Sequence, residues 1–143
     1  PITNVCAIAV AAYIKPELRT DDDSTMIDRF VVGTRKKIEN LFAIAYLHKH
    51  DCLILSALGC GAFRNPPDHV ALIFKSVIEQ YAGYFDEIIF AIIDDHNTGG
   101  RLNPEGNYAP FNKVFDGFVA KPSAGDLDAD MISGPFRIIS KDR

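Results

Sequence analysis

Apolar residues along the chain follow two patterns, continuous runs and runs at helical spacing. The continuous runs occupy residues 4–11, 52–57 and 87–93 and predict strands covered on both faces of a parallel sheet. Two stripes at helical spacing separate them, one made of Ile27, Val31, Ile38, Leu41, Phe42 and Ala45, the other of Val70, Phe74, Val77, Ile78 and Tyr81. The order is therefore strand, helix, strand, helix, strand.

Capping and breaking residues set the expected limits of the helices. Ser24 is a candidate N-cap for the first helix, which Gly33 could divide in two. Pro66 and Pro67 open the second helix, and Gly83 marks its end. A short third helix is expected around residues 111–118. Strands that alternate with helices of this length predict an α/β fold with parallel pairing.

Three strands make a small sheet, since about 4 to 6 strands are usual. The tail from residue 119 to 143 is rich in turn-forming and charged residues, and only residues 136–139, FRII, could add an edge strand. Two open edges of apolar strands would remain. The pattern therefore leaves room for a homo-oligomer or for a partner chain that completes the sheet.

Composition narrows the class of protein. A chain of 143 residues suits one domain, because domains usually have roughly 100 to 200 residues. The net charge of -4 and the pI near 5.5 give no basic surface for duplex DNA. We find no apolar run long enough for a membrane span, and the three cysteines have no metal-binding spacing and suit reduced thiols in the cytoplasm or nucleus. The first residue is proline, which fits a trimmed start or a fragment.

The segment GCGAFRNPP, residues 59–67, connects the second strand to the second helix. In α/β sheets ligands bind where the carboxyl ends of strands lead into helices. Gly59 and Gly61 would let the backbone approach a ligand, so that the amides of Gly61, Ala62 and Phe63 could face a pyrophosphate. An alternative of equal weight is a tight turn with Phe63 in the core. The segment is neither a Walker motif nor GxGxxG.

A second polar group follows the third strand. Asp94, Asp95, His96 and Asn97 would emerge at the same edge of the sheet as the loop of residues 59–63, where they could contact a ribose, an adenine or a metal. Turn formation or helix capping is the more common role of such residues. Adjacent acids also point to opposite faces of an extended chain, so that one substrate would meet only one of them.

Three segments together resemble the C-terminal half of the microbial-type poly(ADP-ribose) glycohydrolase family. They are LILSALGCGAFRNPPDHVALIF, EIIFAIIDDHN and NPEGNYAPF, and the similarity covers roughly residues 5–115, most of the chain. The resemblance implies a three-layer α/β/α macrodomain-like fold with a mainly parallel sheet, incomplete on its N-terminal side. It also implies a site for ADP-ribose or poly(ADP-ribose), with no metal and no cofactor. Within the loop of Gly59, Cys60, Gly61, Ala62 and Phe63, the backbone would wrap the diphosphate, and the last two residues would pack on the distal ribose. Asn65 would fix the loop.

The chain departs from that family in its catalytic segment. The family's glycine-rich loop and Gln-Glu-Glu set lie in its N-terminal half, and neither GGG nor QEE occurs in these 143 residues. Glycoside hydrolysis needs a carboxyl group that protonates the leaving oxygen. We therefore assign no catalytic residue and expect residues 1–118 to form a macrodomain-like half-domain, followed by an irregular tail at 119–143. The alternatives are a non-catalytic nucleotide-binding module and an interaction protein that pairs through an open sheet edge, with the N-terminal half as one conceivable partner.

Overall fold

The computed structural model describes residues 5–21, 24–95, 104–120 and 136–140, the last segment as backbone only. Within them lie three helices and three strands. In chain order they are α1 (Asp28–Leu47), β1 (Cys52–Leu55), α2 (Pro67–Gln80), β2 (Glu87–Ile92), α3 (Tyr108–Phe115) and β3 (Phe136–Ser140). The alternation of helices and strands confirms the predicted α/β class.

The sheet is parallel throughout, in the order β1-β2-β3. Cys52 pairs with Glu87 and Leu55 with Phe90, while Ile88 pairs with Phe136 on the other side of β2. β3 is thus the edge strand that was predicted for residues 136–139, FRII, within the tail 119–143.

One face of this sheet carries the core. Leu53, Leu55, Ile88, Phe90 and Ile92 alternate inward and are buried. Aromatic rings from α2 and α3 pack on them, and α1 contacts α2 through its own buried stripe. The apolar side chains are therefore buried between two layers, the sheet and the helices that pack on one of its faces.

The opposite face of the sheet is open within the described residues. Ile54 is 72% exposed, Ala91 is exposed and Ile93 is 58% exposed. The strands read as apolar on both faces, as in a doubly covered parallel sheet. The second helical layer of a three-layer fold is not among the described residues.

Residues 4–11 were predicted to form a strand, and this prediction is wrong for the described part of that segment. Residues 5–13 have no strand assignment, and Val5 and Cys6 are exposed. An apolar run becomes a strand only when a neighbouring strand satisfies its backbone groups. Here the segment runs toward α1 and the glycine loop, where its later residues make their contacts.

The first helix also differs from the prediction in two details. It begins after Ile27, with no side-chain cap, so Ser24 is not its N-cap. It continues without interruption through Gly33 to Leu47. Among the described residues, no helix is long and apolar enough to cross a bilayer.

Candidate functional site

A cleft of about 190 Å³ opens at the carboxyl ends of β1 and β2. Its walls come from the residues that follow each strand and from the glycine loop, and include Ser56, Ala57, Gly61, Ile93, Asp95 and Asn107. This is the edge where open α/β sheets bind ligands. The fold therefore brings the glycine loop and one of the two predicted acids to a shared cleft.

The glycine loop, residues 59–63, begins with a backbone that only glycine adopts easily. Gly59 has a φ of +75°, and a Cβ there would collide with Ala12 and with the side-chain amide of Asn65. Arg64, just after the loop, has a φ of +56°. The loop is closed by hydrogen bonds from the Asn65 amide to Gly59 O at 3.0 Å and from the Arg64 amide to Gly61 O at 2.9 Å.

Asn65 supports this loop from within the protein. Its side chain is 1% exposed, and Nδ2 donates to Tyr13 O at 2.7 Å and to Gly59 O at 3.0 Å and lies 3.4 Å from Phe63 O. A second contact to the same loop comes from the Lys15 amide, which donates to Phe63 O at 2.7 Å. Asn65 therefore shapes the loop rather than facing the cleft.

Three consecutive amides in the loop remain available. The Cys60 amide donates to Ala57 O at 3.1 Å, whereas the amides of Gly61, Ala62 and Phe63 have no acceptor within the part of the chain that the structure describes. Successive amides without protein acceptors are the donors from which anion-binding loops are built. Phe63 is 37% exposed, so its ring lies at the surface beside the loop and does not fill the core.

Cys60 does not offer a reactive thiol. Its side chain is buried in the core, with Sγ 3.7 Å from Leu58 O. Burial, and secondarily the Asp68 carboxylate, raises the pKa of the thiol far above its usual value. Because the thiolate is the nucleophilic form, Cys60 can take part in a site only through its backbone.

The two acids after β2 separate, as the alternation of an extended chain predicts. Asp94 turns toward α3, where its Oδ1 accepts the Asn107 amide at 2.7 Å and lies 3.4 Å from the Tyr108 amide. Asp95 lines the cleft. Asp94 therefore holds the N-terminus of α3, and only Asp95 of the two lines the cleft. His96 and Asn97 lie outside the described residues.

Asp94→Ala should lower the free energy of unfolding by about 1 kcal/mol, because it removes the acceptor and the negative charge at the N-terminus of α3. The matched control is Asp116→Ala, since Asp116 is exposed at the other end of the same helix. A carboxylate there opposes the helix dipole, so its loss should leave stability unchanged or slightly higher. Urea denaturation measures both. Equal losses in the two variants would contradict the capping role.

Several residues of the cleft were not singled out from the sequence. Ser56 and Ala57 follow β1 directly, so the rule that ligands bind at carboxyl ends of strands could have identified them. Asn107 reaches the cleft, and Tyr13 reaches the glycine loop behind it, only through tertiary contacts, which no local pattern reveals. Within the described ranges, no group of three or more His, Cys, Asp or Glu side chains could hold a metal ion.

Comparison with known proteins gives one consistent result. No protein-family model and no protein of curated function matches the chain. Two solved structures do, both of poly(ADP-ribose) glycohydrolase from Deinococcus radiodurans in complex with ADP-ribose. The Thr-to-Lys variant is 27% identical over 62% of this chain, with a TM-score of 0.54. The Thr-to-Arg variant is 26% identical over 64%, with a TM-score of 0.55.

The match covers only part of each solved structure. This chain spans about a third of the length of the solved structures, 34% and 35%. The resemblance seen in the sequence motifs is nevertheless confirmed by structure and identity together. Over the matched part, the chain is therefore poly(ADP-ribose) glycohydrolase-like and has a macrodomain-like α/β fold.

Proposed function

We propose that this chain binds ADP-ribose, free or at the end of poly(ADP-ribose), and that the glycine loop holds its pyrophosphate. The observation that carries the proposal is the set of three amides, from Gly61, Ala62 and Phe63, that have no acceptor among the described residues. The loop around them is held by hydrogen bonds from Asn65 and Lys15. A loop that is already ordered loses less conformational entropy when it binds its ligand.

The neighbouring groups suit a sugar next to the pyrophosphate. Phe63 offers an exposed ring for packing against a ribose, and Asp95 and Ser56 offer oxygens for hydroxyl groups. The loop sequence Gly59, Cys60, Gly61, Ala62 and Phe63 therefore supplies backbone donors and one apolar wall. Asn65 contributes by holding the loop.

The cleft limits how much of the ligand these residues contact. Its volume of about 190 Å³ is below the roughly 300 to 1,000 Å³ of a typical small-molecule site. It suits a pyrophosphate and one sugar better than a complete dinucleotide-sized ligand. We therefore expect binding in the micromolar range rather than tighter.

Binding without hydrolysis is the activity that we propose for these 143 residues. The resemblance implies a general acid from a Gln-Glu-Glu set, and no QEE is present. Asp94 bonds to the N-terminus of α3 and is not available for proton donation in the cleft.

The free cysteines suit a reducing compartment, so we place the protein in the cytoplasm or nucleus.

Gly61→Glu should abolish ADP-ribose binding, since it places a side chain and a negative charge between the loop amides and the pyrophosphate. Calorimetric titration of ADP-ribose into the pure chain measures this. Asn40→Glu is the matched control, because it adds the same charge at an exposed position of α1. Wild-type binding that only Gly61→Glu removes supports the proposal. Absence of binding by the wild-type chain would refute it.

A second candidate function has its own observation, the open face of the sheet with Ile54 and Ile93 exposed. Exposed apolar surface next to the edge of β1, which has no neighbouring strand among the described residues, could bind a second copy of this chain. Sedimentation velocity distinguishes the two candidates. A monomer at tens of micromolar protein would argue against this one and leave ADP-ribose binding unaffected.

A further inference from the structure

Residues 11–15, AAYIK, run alongside the glycine loop, and we call them the strap. The strap contacts the loop at both ends. The Lys15 amide donates to Phe63 O at 2.7 Å, and Tyr13 O accepts from Asn65 Nδ2 at 2.7 Å. Ala12 fills the space beside Gly59 where a Cβ would otherwise lie. The available amides of the loop therefore lie between residues that the strap holds.

The strap is in turn fixed to α1 by the side chain of Tyr13. The ring meets Phe30 edge to face at a centroid distance of 5.1 Å, and Lys37 Nζ lies 4.1 Å from the centroid of the Tyr13 ring. Lys37 Nζ also donates to Ala11 O at 2.6 Å. Aromatic and cation contacts of this kind each contribute modestly, but together they fix the ring against the helix.

Gly33 is the residue of α1 that makes this arrangement possible. A glycine inside a helix is unfavourable, yet α1 continues through it without a break. A Cβ at this position would collide with the Tyr13 hydroxyl and would lie 2.9 Å from Cε2 and from Cζ of the ring. The absent side chain thus leaves the notch that receives Tyr13.

We propose that the strap positions the glycine loop for the pyrophosphate. Tyr13 is the positioning residue, and Gly33 leaves the space in α1 that its ring occupies. This inference rests on the proposed ADP-ribose binding. Tyr13 acts through its backbone oxygen on Asn65, which bonds to Gly59 O, and so determines where the loop amides lie. No side chain of the strap lines the cleft.

The test is Gly33→Ala, which should displace the Tyr13 ring without changing any residue that lines the cleft. Alanine is the better helix former, so its helix propensity offsets part of the stability lost when the Tyr13 ring is displaced, and the melting temperature alone does not distinguish the two roles. If Tyr13 positions the loop, displacement of its ring should weaken ADP-ribose binding about tenfold, as expected when one or two hydrogen bonds are lost. The control Asn40→Ala improves helix propensity at an exposed site of α1 and should leave the affinity unchanged.

Hydrogen exchange of the ligand-free protein gives a readout that does not need ADP-ribose. In Gly33→Ala the amides of Lys15 and Asn65 should exchange about tenfold faster than in the wild type, since local opening becomes easier. The double variant Gly33→Ala with Tyr13→Phe removes the hydroxyl, which the new Cβ meets most closely, and should restore part of the protection, since ring atoms Cε2 and Cζ still lie 2.9 Å from the Cβ position.

The outcomes separate the two proposals. Wild-type exchange at Lys15 and Asn65 in Gly33→Ala would overturn the positioning role, whether or not ADP-ribose binds. Faster exchange together with a wild-type chain that does not bind ADP-ribose would support the strap and refute the proposed ligand. Faster exchange with weakened binding and partial rescue by Tyr13→Phe would support both.

Discussion

Asn65→Asp should abolish ADP-ribose binding and lower the free energy of unfolding by about 3 kcal/mol. The side chain is buried, and its Nδ2 bonds to the carbonyl oxygens of Tyr13 and Gly59 and lies 3.4 Å from that of Phe63. Aspartate has the same shape but presents an acceptor where these carbonyls need a donor. A buried charge and unpaired carbonyls then face one another, which is far costlier than the loss of one hydrogen bond.

Two measurements check this prediction together, urea denaturation and titration with ADP-ribose. The matched control is Asn40→Asp, the same chemical change on the exposed surface of α1, for which we expect less than about 0.5 kcal/mol. An Asn65→Asp protein with normal stability and normal affinity would show that the loop holds its shape without this side chain. A variant that loses affinity for ADP-ribose but keeps its free energy of unfolding would show that Asn65 shapes the loop without contributing to the stability of the fold.

The elements with local signals were predicted well. α2 begins at Pro67, with Pro66 as its N-cap, as the two prolines indicated. It ends at Gln80, shortly before Gly83 with its φ of +86°. β2 covers residues 87–92 of the predicted 87–93. Proline and glycine act through their own backbone preferences, so their effect is visible in a single sequence.

The prediction failed where structure depends on a distant partner. Residues 4–11 look like a buried strand because they are apolar, but a strand needs a neighbour, and the described part of that run has none. Gly33 looks like a helix breaker, whereas it serves as the seat of Tyr13, 20 residues away in the chain. The hydrogen bond from Asn65 Nδ2 to Tyr13 O joins two residues that are 52 positions apart, a separation that periodicity does not detect.

The candidate site was predictable in position but not in detail. The carboxyl-end rule placed the glycine loop and the acids at one edge, and the cleft lies there. Alternation showed that Asp94 and Asp95 would diverge, but it could not show which one meets the cleft. Which acid lines the cleft depends on α3, because the Asn107 amide at its N-terminus donates to Asp94.

The second large effect is expected from Phe90→Ala, which should destabilise the chain by about 4 kcal/mol. The Phe90 ring, on β2, lies 5.1 Å from Phe74, 5.2 Å from Phe111 and 4.8 Å from Phe115, measured between centroids. These rings belong to α2 and α3, so a cavity at Phe90 loosens both helices from the sheet at once. Domains have only about 5 to 15 kcal/mol of stability.

The control for Phe90→Ala is Ile54→Ala, on the neighbouring strand but on the open face. At 72% exposure in the single chain, Ile54 buries little area, and we expect a loss of less than about 0.5 kcal/mol in urea denaturation. Similar losses in both variants would mean that the open face is covered in solution, as the second candidate function requires. A large loss for Phe90 alone would mean that stability depends on the helical face. Because Phe90 does not line the cleft, ADP-ribose binding should then fail in Phe90→Ala only to the extent that the protein unfolds.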